Sequence, residues 1–179
     1  MEDKRIQKTK KKLRDTFIQM LQTKSFDQIT VTELCEAAKM SRITFYAHYN
    51  DKYDLLEALM QQMLEAAQAD FENLQKENNP KRDSQQTYNN ILDSILNLFS
   101  SYKDLLRQAS QQRNPYLYYS FYQRIYRMVE RRIEEARAHN QLAPQLASRK
   151  FSSFICTGLW AYINECNHEH NDLEQIRRE

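Results

Sequence analysis

Apolar residues recur at helical spacing along almost the whole chain. Leu13, Phe17, Met20 and Leu21 stand at i, i+4, i+7 and i+8, the stripe of an amphipathic helix. Val31, Leu34, Cys35 and Ala38 follow at i, i+3, i+4 and i+7, and Thr30 with Glu33 three residues on forms the capping-box pattern that starts such a helix. Lys39 and Met40 make a turn, and Ser41 is a good N-cap for a further short helix. In that helix Phe45 and Tyr49 lie four apart and are predicted to face the core. Asn50 is read as the cap of a long helix, 51–76. Its stripe of Tyr53, Leu56, Met60, Met63, Leu64, Ala67, Phe71 and Leu74 holds register over about six turns.

Glu77 to Asp83 is a polar break between helices. Beyond it Tyr88, Ile91, Leu92, Ile95, Leu96 and Phe99 predict another helix, and a short one follows over Lys103–Ala109. Asn114-Pro115 reads as N-cap and first helical position of the next, which carries Tyr118, Tyr122, Ile125, Val129 and Ile133 to about Ala138. Pro144 is predicted to open the last long helix, with Ala147, Phe151, Phe154, Ile155, Gly158, Leu159, Tyr162 and Cys166. The expected fold class is all-α.

The segment from Ile29 to Leu56 therefore predicts two short helices, a tight turn and the start of a third. Such a helix-turn-helix can place its second helix in the major groove of DNA. The residues it would present are Ser41, Arg42, Ile43, Thr44, Tyr46 and His48. Arg42 stands where side chains meet base edges, and its fork suits guanine O6 and N7, worth ~1–3 kcal/mol of discrimination. The plainer alternative is a phosphate contact. Ile43 faces either the helix packing seam or the groove, where it would meet a thymine methyl. Thr44 and Tyr46 carry hydroxyls for phosphate, and Thr32 in the preceding helix offers another. His48 is read as a positioning residue rather than a metal ligand, because no partner ligands lie nearby in the sequence.

The segment resembles the TetR/AcrR family of transcriptional regulators. The resemblance rests on Ile29-Thr30-Val31, Leu34, Ala37-Ala38, Ser41, Thr44-Phe45-Tyr46, His48-Tyr49, Lys52 and Leu55-Leu56, roughly the first third of the chain. It implies a homodimer that binds double-stranded operator DNA through Ser41 to Lys52, with Lys52 as a phosphate clamp. It also implies an N-terminal helix-turn-helix DNA-binding domain (1–50) and a C-terminal helical ligand-binding and dimerisation domain (51–179), joined by the helix 51–76. The chain departs from the family at Lys39, where a glycine is usual, and at Met40, where a small aliphatic residue is usual. A lysine at positive φ costs about 1 kcal/mol.

Composition and charge narrow the reading further. The chain has 179 residues, with one glycine and three prolines. That scarcity argues against turn-rich β folds and against glycine-rich phosphate loops, and so against nucleotide-binding enzymes. No apolar run reaches membrane-spanning length, and the charged N-terminus lacks the apolar core of a signal peptide. Three cysteines at helical positions fit a reduced, cytoplasmic setting. Residues 1–53 carry a net charge of +4, concentrated in Lys4, Arg5, Lys8, Lys10, Lys11, Lys12 and Arg14. Such a basic arm can follow phosphates or enter a minor groove, with Lys10 and Lys11 as candidate contacts; the alternative is a disordered, solvated tail.

Tyr116, Tyr118, Tyr119, Phe121, Tyr122 and Tyr126 form an aromatic cluster whose members point to several helix faces. Together with the resemblance it predicts an effector pocket lined by Met60, Met63, Tyr88, Phe99, Tyr102, Tyr118, Tyr122, Tyr126 and Trp160. The competing reading assigns these residues to core and interface. The resemblance assigns residues 116–138 and 146–166 to a dimer interface, with Phe151, Phe154, Ile155, Leu159 and Tyr162 on its face and Gly158 at a close crossing. The run Cys166-Asn167-His168-Glu169-His170 could bind metal only by unwinding, so an exposed polar tail is preferred and no metal is predicted. No catalytic residue and no cofactor is predicted.

The expected activity is a sequence-specific DNA-binding regulator, a repressor released by a small-molecule effector. One alternative is a co-activator or regulator controlled by a protein partner. The other is an all-helical enzyme or adaptor in which the motif is coincidental.

Overall fold

In a computed structural model residues 4–109, 114–138 and 147–169 are described, and every regular element among them is helical. The order is α1 (Lys4–Thr23), a 3-10 turn (Phe26–Gln28), α2 (Val31–Ala37), α3 (Arg42–Tyr46), α4 (Lys52–Asn78), α5 (Ser84–Ser101), α6 (Lys103–Gln108), α7 (Pro115–Ala138) and α8 (Ser148–Glu169). The all-α expectation holds.

Side-chain caps mark the boundaries. Glu33 N donates to Thr30 Oγ1 at 3.2 Å, and Thr30 N donates to the Glu33 carboxylate at 3.1 Å, closing the predicted capping box. Leu117 N donates to Asn114 Oδ1 at 2.9 Å, so Asn114 caps α7 with Pro115 in its first turn. One cap differs from expectation. Asp51, not Asn50, opens α4, its Oδ1 accepting from Tyr53 N and Asp54 N, both at 2.8 Å. Asn50 instead donates to Asp54 Oδ2 through its backbone N and its amide. Aspartate wins because an ionised carboxylate accepts charge-assisted bonds at a helix N-terminus. The basic N-terminal residues also differ from the arm reading: Lys4 to Arg14 lie within α1. Pro144 lies outside the described residues, and α8 begins at Ser148.

The chain divides into two compact units, residues 1–63 with 102–119, and residues 64–101 with 120–179. This division places a boundary within α4 at 63, rather than at 50, and adds α6 to the N-terminal unit.

In the first unit Leu13, Phe17 and Leu21 of α1 are fully buried, as are Leu34 of α2 and Phe45 of α3. Phe26 meets Phe17 edge-on, with ring centroids 6.1 Å apart. Burying such a side chain contributes about 1.5–3 kcal/mol each. α1 packs on α2 and α6, and α2 packs on α3.

In the second unit Ile91, Ile95 and Phe99 of α5, Cys156 and Trp160 of α8, and Phe121, Ile125, Val129 and Ile133 of α7 are buried. Leu117, in the first unit's stretch of α7, continues the α7 row by one further step of four. The predicted stripe had Tyr118 and Tyr122 in place of Leu117 and Phe121. Both tyrosines are half-buried instead. The i, i+4 row running back from Ile133 reaches phenylalanine and leucine, and the tyrosines fall one position around the helix, where a hydroxyl can stay wet.

Polar groups also enter this unit. Asn79, Thr87 and Asn90 are buried, and hydrogen bonds satisfy them. Asn79 Nδ2 donates to Thr87 Oγ1 at 2.9 Å and to Asp83 O at 3.0 Å, and Asn79 Oδ1 accepts from Asp83 N at 2.6 Å. Asn90 Nδ2 donates to Gln75 Oε1 at 2.7 Å and to Asn78 Oδ1 at 2.8 Å. This network fixes the turn from α4 to α5.

Candidate nucleic-acid interface

Ser41 opens α3 by accepting from Thr44 N at 3.1 Å, and its hydroxyl lies 2.8 Å from Thr44 Oγ1. Lys39 sits in the preceding turn at φ 52, so the chain adopts the left-handed geometry without a glycine. The turn is closed by Lys39 N donating to Glu36 O and Met40 N to Cys35 O. Phe45 and Tyr49 are buried, as the spacing predicts.

The opposite side of this short helix is open. Ile43 is 84% exposed and Tyr46 51% exposed, and Arg42 is exposed too. At 100° per residue Arg42, Tyr46 and Ile43 fall within about 100° of arc. Exposure of Ile43 removes the packing-seam reading within this chain. The Arg42 guanidinium lies 5.9 Å from the Tyr46 ring centroid, a weak cation–π contact that narrows the range of its fork. Thr44 and His48 are half-buried, and Thr32 is exposed in the first turn of α2. Lys11 is exposed and pairs with Asp15 at 2.6 Å, while Lys10 is half-buried on the same helix.

Lys52 is turned inward. Its Nζ donates to three backbone carbonyls, Phe26 O, Asp27 O and Ile29 O, each at 3.0 Å. It also lies 4.7 Å from the Phe26 ring centroid. An ammonium has three protons, and all three are used here. The geometry is that of a staple between the start of α4 and the segment leading into α2, not of a side chain reaching outward as expected of a phosphate clamp.

That segment is braced from a second direction, by a contact not foreseen from the sequence. Lys24 Nζ donates to Glu33 Oε1 at 2.7 Å. The Lys24 hydrogen bond, followed by those from Thr30, draws the Glu33 carboxyl down to about 2, so it remains ionised well into acid. Lys24 lies just past α1 and nine residues before Glu33 in α2, so no helical periodicity could have paired them.

Residues 14–59 match the family described as bacterial regulatory proteins, tetR family. Residues 14–59 thus carry a tetR-family DNA-binding domain, and the chain is a DNA-binding transcriptional regulator. The fold is similar to that of a solved structure of the dihydroxyacetone kinase operon activator DhaS, with TM-score 0.59 and 18% identity, covering 94% of this chain and 89% of that one. Comparison with curated proteins gives no match. TetR-type regulators are generally non-enzymatic proteins that bind operator DNA, typically as dimers. No helix among the described residues is long and apolar enough to cross a membrane.

The remaining candidates are distributed differently from expectation. Met60, Met63, Tyr102 and Tyr118 belong to the first unit, and Tyr88, Phe99, Tyr122, Tyr126 and Trp160 to the second. Met60 and Met63 are buried. In the second unit the aromatic residues fill their own space. Phe99 meets Trp160 edge-on at 5.5 Å, Tyr88 meets Phe151 at 5.5 Å, and Tyr122 stacks on Tyr126 at 6.1 Å. The void beside Phe99, Tyr122 and Trp160 is about 10 Å³, no more than the space of one water. A concavity of about 670 Å³ lies elsewhere, beside Phe71 and Arg132, and none of the nine predicted pocket residues lines it.

On α8, Phe154 is 75% exposed, Gly158 is exposed, and Phe151, Ile155, Leu159 and Tyr162 are partly covered. A Cβ added to Gly158 would meet nothing within 4 Å, so no close crossing occurs there within the chain. Cys35 and Cys156 are free and buried, and burial pushes the Cys156 thiol up to about 12. The side chains of the Cys166–His170 run lie outside the described residues. Among the described residues no group of metal-ligating side chains converges.

Proposed function

We propose that two copies of this chain pair through α7 and α8 and present their α3 helices to successive major grooves of a pseudo-palindromic operator. The observation that carries this reading is the bare face of α3. An isoleucine left 84% exposed beside an arginine and a tyrosine suits base edges and a thymine methyl better than water. Arg42 and Ile43 read bases. Tyr46, Thr32, Lys10 and Lys11 meet phosphate, Ser41 and Thr44 hold the helix start, and His48 positions its end. The exposed Phe154 and Gly158 mark the face of α8 that meets the partner. The protein acts in the cytoplasm, without an enzymatic activity of its own, as a repressor released by a small effector that favours one separation of the two heads.

A second reading has a protein partner in place of the effector and activation in place of repression. The filled space around Trp160 favours it, and the structurally similar DhaS is named as an operon activator. Gel shifts on DNA flanking the gene, or on sites selected from random DNA, test the DNA reading. Arg42→Ala should relax sequence preference, losing ~1–3 kcal/mol of discrimination at one base pair. Full preference retained by both Arg42→Ala and Ile43→Ala would refute the assignment of α3.

A further inference from the structure

The cavity of about 670 Å³ in the second unit has the size of a small-molecule site, and its chemistry is one-sided. Phe71 and Pro80 give it apolar walls. Gln75, Asn79 and Thr87 also line it, but their polar atoms are engaged with one another. A sugar or other polyol would find few unused partners there.

The charges do not cancel. The Arg132 guanidinium lies 5.0 Å from the Phe71 ring centroid and is held by Glu135 at 2.8 Å and Glu72 at 3.2 Å. Those three groups together leave a charge of −1. Lys76 and Arg82 also line the cavity, and neither has an ion pair among the described residues. The lining therefore carries a net charge of +1. Arg82 is further marked by its backbone, at φ 52, a conformation costing a non-glycine residue about 1 kcal/mol. The turn is held by Arg82 N donating to Asn79 O at 3.0 Å and by the buried Asn79 side chain. The strained residue thus sits on a rigid support in the lining of the cavity.

We propose that this cavity binds a small organic monoanion, an aryl or arylalkyl carboxylate. Its carboxylate meets Lys76 and Arg82, and its apolar body lies against Phe71 and Pro80. A cation is disfavoured by the net positive lining, and a neutral polar ligand gains no charge pairing at Lys76 and Arg82. The proposal rests on the effector reading above and gives it a site away from Trp160. Phe71 and Lys76 belong to α4, the helix whose first turn bears Lys52, so a ligand held there acts on the element that supports the DNA-binding segment.

Titration calorimetry of the full chain with 2-naphthoate and 4-phenylbutyrate tests the site, with 2-naphthylmethylammonium as the matched cation. The expected result is carboxylate binding at least about tenfold tighter than the cation, lost at least about tenfold in the double variant Lys76→Glu with Arg82→Glu. Lys76→Gln with Arg82→Gln keeps the fold with a smaller perturbation, and it should lose the same preference. Equal binding of the cation, unchanged binding in both double variants, or no heat from either carboxylate up to about 10 mM overturns the site. Operator release is read separately by gel shift. Release of the wild-type protein but not of the variants supports the effector reading. Carboxylate binding without release leaves the site standing and overturns the effector reading.

Discussion

The DNA-binding segment and the α4–α5 region of the second unit both use polar side chains as fasteners, but in opposite ways. Around α2 and α3 most of the fasteners bind backbone. Thr30 and Ser41 cap their own helices, and Lys52 gathers three carbonyls of one loop. Around α4 and α5 the fasteners chiefly bind each other, with Gln75, Asn79, Thr87 and Asn90 in one network that also grips the Asp83 backbone. Backbone fastening sets the angle at which a small element is held, and it leaves the outer face free for a partner. Side-chain networks hold a turn in one register, and the loss of one member weakens the bonds of its neighbours.

The sharpest way to break this contrast is Lys52→Met. It removes three charge-assisted bonds at once and should cost about 3 kcal/mol of stability in chemical denaturation. Operator affinity should fall with it, while the slope of log affinity against log salt stays unchanged. A slope reduced by about one unit would restore the phosphate-clamp reading. Asn79→Ala should cost about 2 kcal/mol, since it leaves the Asp83 backbone N–H without its acceptor in a part-buried site and removes the amide bonds to Gln75, Thr87 and Asp83 O. Its melting curve should shift while the preferred operator sequence does not; a changed preference would mean the α4–α5 turn sets the reading of bases.

Tyr49→Phe works in the other direction. The Tyr49 hydroxyl is buried with no hydrogen-bond partner among the described residues, so its removal should raise stability by about 1 kcal/mol. A loss of stability would mean that a partner, such as an ordered water, satisfies the hydroxyl. The smallest effect concerns acid. The Glu33 carboxyl is lowered from 4.5 to about 2, so its contribution is present above about 4.5 and is lost as the pH falls towards 2. Glu33→Gln should flatten the acid limb of the stability profile over that window and leave neutral behaviour almost unchanged. An identical acid limb in wild type and variant would remove Glu33 from the account.

Local signals were legible because their partners lie within four residues. The Thr30 and Glu33 box, the Ser41 cap, the buried pair Phe45 and Tyr49, and the Asn114-Pro115 start of α7 all follow from the sequence and stand in the structure. Asn50 misled because two adjacent residues can both cap, and only the carboxylate of Asp51 accepts both amide protons. Tyr118 and Tyr122 misled because a helix with aromatic residues at consecutive positions offers more than one plausible stripe, and the choice falls to the shape of the neighbouring helices.

The order of letters alone determined the helical class, the helix-turn-helix and the face of α3 that buries Phe45, since helical periodicity and capping are properties of neighbouring residues. Tertiary structure alone decided that Lys52 points inward, that Lys24 meets Glu33, and that open volume lies beside Phe71 and Arg132 rather than around Trp160. These depend on where distant segments bring their carbonyls, carboxylates and rings. A flexible ammonium or guanidinium takes whichever partner the packed chain sets within its reach.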